Sequence, residues 1–408
     1  MILEGLFRGS CEPARQLAGT VPVPNRRGRK QEVRRITTVL VSAILLVGPN
    51  AAAGDRDSGV SDSHESLGGD PIACIEVLGQ TLLQRSVSRL QRDGVRDIAV
   101  LADHSLSTLI RSQHTRSTDM VLVNDPMDLW PAAQRKFAEY VENGVDSVVL
   151  MRLGAFVEFD LGYLLQFHRE QGQPITPVYD GTGPLDYWVL SASCDWSEGA
   201  TGRAGAKMSD ASSGIRFRTD GYVNRLANAH DLRHLVVDSF LGRCEIRPNG
   251  VQVKPGIWMD EGAQVHRRAR IVAPAYIGRG VKVRSDALIT RSSSLERGCE
   301  VSYGTVVEDS SILVDTCLGT GLDVTHAVVW GRNLVNLRHD VALEINDPKL
   351  LSGRTDIRRQ LVYPTVPSPV ESKVPEQPDL NEGASGLRGT IHDAKPALVP
   401  SRRNAWAD

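Results

Sequence analysis

The stretch Met259-Asp-Glu-Gly-Ala-Gln-Val265-His-Arg-Arg-Ala-Arg-Ile271-Val-Ala-Pro-Ala-Tyr-Ile277-Gly-Arg-Gly-Val-Lys-Val283-Arg-Ser-Asp-Ala-Leu-Ile289 decides the fold of this 408-residue chain. A branched aliphatic or Met recurs at every sixth residue, and the rhythm runs on through Leu295, Val301, Val307 and Leu313. Four residues after each sits Ala263, Ala269, Ala275, Val281, Ala287, Ser293, Cys299, Thr305, Ser311 or Cys317, small in nearly every case. Neither a helix period of 3.6 nor a strand period of 2 makes such a run. A hexapeptide-repeat parallel β-helix does: three short strands close a triangular coil of about 18 residues, with the large side chain inward and the small one at the corner. The phase slips by one residue after Leu313 and resumes at Leu318, Val324 and Trp330, as a distorted last coil or cap would require.

Working outward, the repeats occupy residues 241–346. Ahead of them, residues 37–240 alternate strand and helix. Val39–Val47 is a continuous apolar run, as a central parallel strand would be. Leu78, Leu82, Leu83, Val87 and Leu90 share a helical face that Gly94 stops. Asp97–Leu101, Met120–Val123 and Ser147–Met151 read as further strands. Pro131 opens a helix that Gly144 ends, and Asp160 caps one whose inner face is Leu161, Leu164, Leu165 and His168. Repeated βα units imply a mostly parallel sheet covered by helices. Residues 195–215 read as a long polar loop. Residues 1–36 read as a disordered basic arm and 347–408 as a disordered Pro-rich tail.

Net charge is −2, so the balance points neither to nucleic acid nor to an acidic membrane. The run Val39–Val47 is too short to span a bilayer. Basic residues before it and Ala51-Ala52-Ala53 after it are also the ingredients of a secretory signal, but the run begins far from Met1 and suits a buried strand better. Six scattered cysteines without a C-x-x-C pair fit a reducing cytoplasm, and Cys299 and Cys317 fall in small-residue slots.

Two stretches in the first domain resemble the sugar nucleotidyltransferases, the NDP-sugar pyrophosphorylases, closest to the mannose-1-phosphate guanylyltransferase and glucose-1-phosphate branches. Asp70-Pro71-Ile-Ala-Cys-Ile-Glu-Val-Leu-Gly79-Gln-Thr-Leu82-Leu83 is similar to the family's K-P-L-x-P-V-x-G-x-P-L-L segment. Phe159-Asp160-Leu161-Gly-Tyr-Leu164-Leu165-Gln-Phe-His168-Arg is similar to its D-F-D-L-x-x-L-L-x-x-H-R segment. The resemblance implies a Rossmann-like α/β nucleotidyltransferase domain followed by a left-handed parallel β-helix. It also implies attack of a sugar 1-phosphate on an NTP, with backbone N–H groups and an Arg around the triphosphate, a Lys on the transferring phosphate and a carboxylate-held Mg²⁺.

This chain departs from that pattern in three places. The glycine-rich loop is replaced by Val47-Gly48-Pro49-Asn50-Ala51-Ala52-Ala53, the Lys by Asp70, and the metal Asp by Gly154. A carboxylate beside a triphosphate is repulsive, and Pro49 with three Ala cannot make the same nest of N–H groups. The expectation is a catalytically degenerate pseudoenzyme with no assigned catalytic residue and no required cofactor. It would act as a regulatory or partner subunit of a catalytic nucleotidyltransferase in sugar-nucleotide or polysaccharide metabolism. Gly48, Asn50, Glu158 and Asp160 are the candidates for holding a nucleotide or sugar-phosphate ligand. The first alternative is an active nucleotidyltransferase with a rearranged site, which would need Mg²⁺. The second is a hexapeptide acyltransferase using His266 or His326 as base. Self-association through the flat faces of the coils is expected.

Overall fold

The computed structural model describes residues 40–48, 66–67, 70–112, 118–196 and 215–353. Asn50, the arm 1–36, most of the 195–215 loop and residues 354–408 lie outside these.

A strand can be apolar at every position only if both its faces are covered. Val41–Val47 (β1) is such a strand, buried from Ser42 through Val47. It lies inside a seven-stranded sheet with Asp97–Asp103 (β2), Thr118–Val123 (β3) and Ser147–Arg152 (β4). Phe156–Val157 (β5) leaves this sheet, and Ile175–Tyr179 (β6), Pro184–Ser191 (β7) and Phe217–Arg218 (β8) complete it. The spatial order is β8-β6-β7-β4-β1-β2-β3. Pairing is parallel between β1 and β2 and between β1 and β4, whereas β7 runs antiparallel to both β4 and β6. The sheet is therefore mixed. Val223–Asn224 (β9) pairs antiparallel with β5.

Helices cover both faces. Leu82–Arg92 (α1) begins in a reciprocal cap: the Thr81 hydroxyl accepts from Gln84 N–H, and the Gln84 side chain accepts from Thr81 N–H. Its Leu83, Val87 and Leu90 pack with Ala43, Leu45 and Val47 of β1. Leu129–Glu142 (α2) covers the opposite face, where Leu129, Ala133 and Phe137 meet Ile44 and Leu46. Leu161–Gln171 (α3) joins the first face, and its Asp160 side chain caps it by accepting from Tyr163 N–H at 2.9 Å. His168 is buried on α3 between the hydroxyls of Thr176 and Ser191.

From Ile257 onward, short parallel strands stack in three sheets. Successive partners are 18 residues apart: Ile257, Ala275 and Ser293 in one sheet, Val265, Val283 and Val301 in the second, Ile271, Ile289 and Val307 in the third. Ile277, Val283, Ile289, Leu295, Val301 and Val307 form one buried cluster. The phase slip comes earlier than the sequence suggests, and it comes twice. Leu295 faces Ile312 and Val307 faces Val324, each 17 residues on, and Ile312 faces Val329 at the same interval. Both shortened turns lie at one corner. The full-length turn there uses two left-handed residues, Arg291 and Ser292, whereas the short ones use Asp309 or His326 alone. The inward residues are therefore Ile312 and Val329, not Leu313 and Trp330, which turn to a second cluster outside the stack. By the same shift Ser310 and Thr316 take the buried small positions, Ser311 pairs beside Ser294, and Cys317 faces outward opposite Glu300.

Antiparallel strands close both ends. Val251–Lys254 pairs with Ile257–Met259 at the first. At the other, Asn333–Asn336 pairs with Ala327–Trp330, and Leu351–Gly353 with Thr316–Leu318. The stack thus runs seven residues beyond Asn346. Ala229–Phe240 (α4) lies against the stack, with Leu232, Leu235 and Val236 clustered with Leu78, Leu82, Tyr276, Leu313 and Val328.

Candidate functional site

From β1 the chain moves outward through β2 and β3, then returns to place β4 on the other side of β1. Open α/β sheets bind ligands beyond the carboxyl ends of the strands where the winding reverses, here between β1 and β4. Gly48 and Arg152-Leu153-Gly154 stand at this crevice. Gly48 sits close to α2: a Cβ there would come within 2.7 Å of Leu129 Cδ1. Leu153 N–H donates to Leu46 O at 3.0 Å, tying the two strand ends together.

The charged groups at this edge are ones that spacing did not single out. Arg152 leaves the end of β4 and its Nη1 lies 3.7 Å from Asp186 Oδ2, because β7 runs antiparallel and brings its first residues to the same edge. Burial pushes the Asp186 carboxyl up, and the guanidinia of Arg152 and Arg225 pull against that rise. Arg225 pairs with Asp180 at 2.8 Å and donates to Pro184 O at 3.2 Å. Burial alone would raise Asp180. Hydrogen bonds from Arg225, Thr182 and Gly183 outweigh it and hold the carboxyl at about 2. Asp103, at the end of β2, accepts from Ser105 N–H at 2.6 Å.

The sequence-derived candidates fare differently. Gly48 is at the crevice, and Asn50 is not described. Glu158 accepts the backbone N–H of Glu245 at 2.5 Å, and burial pushes its carboxyl up. Asp160 caps α3. Both carboxylates are thus held by backbone donors of their own surroundings. Asp70 pairs through its backbone opposite Leu67. His326 Nδ1 lies 2.6 Å from Asp309 Oδ2, whose other oxygen meets Arg233, while His266 Nδ1 accepts from Arg268 N–H. Beside α1 lies an apolar cleft of about 40 Å³, lined by Arg85, Arg89, Met151, Phe159 and Tyr187. Arg89 donates across it to the carbonyls of Val157 and Phe159. That volume holds a water rather than a sugar.

Among the described residues no three His, Cys, Asp or Glu side chains are grouped as a metal would need. A guanidinium at the end of β4 is itself no ligand for Mg²⁺, which takes oxygen donors. No helix among the described residues is long and apolar enough to cross a membrane. No model of a protein family matches the chain, and no curated protein is significantly similar to it.

Proposed function

We propose that this chain is a sugar-nucleotidyltransferase-like protein that keeps the scaffold and not the chemistry. Its scaffold would be a Rossmann-like domain followed by a left-handed hexapeptide β-helix. Its role would be that of a regulatory or partner subunit in cytoplasmic sugar-nucleotide or polysaccharide metabolism. The order of elements supports the scaffold: a mixed sheet with helices on both faces, then strands stacked at 18-residue intervals. The observation that carries the loss of chemistry is Arg152. It stands two residues before the position where the resemblance calls for a metal-binding carboxylate, and it is paired with Asp186. A fixed positive charge there can hold a phosphate, but it cannot ligate the Mg²⁺ that the resemblance implies, which takes oxygen donors. Free buried cysteines at 194, 244 and 299 support a reducing compartment.

The test is pyrophosphate release from each of the four NTPs with mannose- or glucose-1-phosphate and Mg²⁺, run beside nucleotide titration by calorimetry. No release above a heat-killed control is expected, together with nucleotide binding that weakens in Arg152→Ala. Release with one specific pair, abolished by Asp186→Asn or Asp103→Asn, would overturn the reading in favour of a working enzyme.

A further inference from the structure

The strand stack is closed on one side only at its first turn. The three strands there are Ile257–Met259, Gln264–Val265 and Arg270–Ile271, one in each sheet, and the last two are edge strands. Among the described residues only the first of the three is covered, by the antiparallel Val251–Lys254. One turn deeper, Ile277, Val283 and Ile289 are exposed by 2% or less, whereas Met259, Val265 and Ile271 are only partly buried. Val251 stands opposite Met259, hence on the inward side, and is 69% exposed. Val253 is 51% exposed. A solenoid end that bares its apolar filling, with edge strands whose N–H and C=O groups lack a ladder partner, calls for a cap.

The charges at this end are sorted by corner. Asp260 and Glu261 turn the chain from the first sheet to the second. Asp260 is held by Asn249 at 2.9 Å, whereas Glu261, with Arg279 at 3.0 Å, is mostly exposed. His266, Arg267 and Arg268 turn the chain from the second sheet to the third. Arg268 reaches Asp286 at 2.9 Å, and Arg267 is exposed with no ion pair among the described residues. An acidic corner and a basic corner on one turn make the end complementary to itself once it is turned over.

We propose that two copies of this chain join end to end here, about a two-fold axis beside the Val272-Ala273-Pro274 corner. That axis exchanges the first sheet with the third. Each copy has one strand extra on the first sheet, Val251–Lys254, and lacks its counterpart on the third. The extra strand of each therefore adds to Arg270–Ile271 of the other. Val251 of both copies closes over the apolar filling, and Glu261 of each faces Arg267 of the other. Since a coil climbs one strand spacing per turn, this axis leaves a single strand position empty, in the second sheet. Exchanging the first sheet with the second instead would leave two empty and turn Glu261 of each copy toward the other's Glu261. The one like-charge contact in the chosen arrangement is Lys254 with its counterpart, beside the axis. This inference goes beyond the proposed function and does not rest on it.

The experiment is sedimentation equilibrium of the full chain across a concentration series. A monomer–dimer equilibrium is expected. Val251→Asp, Arg267→Glu and Glu261→Arg should each raise its dissociation constant at least about tenfold. Their circular dichroism spectra should stay unchanged, because all three side chains are exposed in the single copy. Arg267→Glu and Glu261→Arg combined in one chain should restore the dimer, since reversing both charges rebuilds the pair across the axis. Lys254→Gln should tighten it, and Arg338→Glu, at the other end of the stack, should leave it as it was. A chain that stays monomeric throughout would overturn the proposal and give the end to another occupant. So would a dimer indifferent to Val251→Asp, which would put the contact elsewhere, and so would a combined variant that dimerises no better than the single ones.

Discussion

The carboxylate of Glu296, on the strand stack, accepts the backbone N–H of Gly79, just ahead of α1, at 2.9 Å. Its second oxygen accepts from Leu78 N–H, also at 2.9 Å. Leu78 and Gly79 both have positive φ, which turns their N–H groups the same way. Gly79 is also confined: a Cβ would lie 2.2 Å from Tyr276 Oη and 2.7 Å from Asn249 Cβ. One side chain thus fastens a left-handed turn of the first half onto the coils, 217 residues away.

Glu296 makes stability depend on pH. It is buried, and burial, then the nearby Glu76, push its carboxyl from 4.5 up to about 8, against the two N–H bonds and Arg85. The folded pKa exceeds the unfolded one, so the folded state favours the neutral form. That contribution is present in full below about pH 4.5 and is lost as pH rises through about 8. A shift of this size corresponds to roughly 3–5 kcal/mol. The melting temperature should fall between about pH 4.5 and pH 8 in the wild type and much less in Glu296→Gln. An unchanged slope in the variant would remove Glu296 from this role.

Arg233 is a second fastening. From α4 it donates to Ser292 O at 2.8 Å and to Asp309 Oδ1 at 2.6 Å, and it is buried. Arg233→Ala leaves buried acceptors and a carboxylate unpaired and should cost about 3 kcal/mol. Arg233→Lys keeps the charge and loses the fork, so chemical denaturation should place it between the two.

The shifted register is testable by thiol chemistry. Cys299 points into the stack, where burial pushes its thiol well up, whereas Cys317 is only partly buried. Alkylation of the native protein should modify Cys317 at least about tenfold faster than Cys299. Comparable rates would return Cys317 to the inward position that an unbroken repeat gives it.

The stack itself predicts large effects at single positions. Ile277 is fully buried in it, and Ile277→Asp would place an unpaired carboxylate among apolar side chains at a cost of several kcal/mol, on the order of 3–5. An unchanged melting temperature would be incompatible with the inward stack. Arg270→Asp, on an exposed face of the same coils, is the control and should shift stability by less than about 0.5 kcal/mol.

Much of the fold was legible because backbone geometry sets a period. Inward residues from Met259 to Val307 repeat at six since each coil has three strands of fixed rise, and β1 is apolar throughout since both its faces are covered. Asp160 was readable as a cap, because a cap is made within four residues. The expectations that changed were those resting on continuity of the pattern. Leu313 and Trp330 keep the spacing on paper, but a turn that drops one residue at Asp309, and again at His326, hands their places to Ile312 and Val329. Any apolar neighbour satisfies a hydropathy pattern, and only the hydrogen-bond register decides between them.

The candidate site was legible in outline alone. Gly48 falls at the crevice, but Arg152 and Asp186 read as ordinary strand-end charges until β7 reverses beside β4 and brings them together. By itself the sequence determined the inward residues of the coils from Met259 to Val307, the cap of α3 at Asp160, and that the first half is an α/β sheet. Only the tertiary structure decided what each charge meets: Glu296 with Gly79, Arg233 with Asp309, Arg152 with Asp186. Periodicity is a property of neighbouring residues and survives in the linear string. The partner of a buried charge is set by which distant segment arrives beside it, and that depends on the packing of the whole chain.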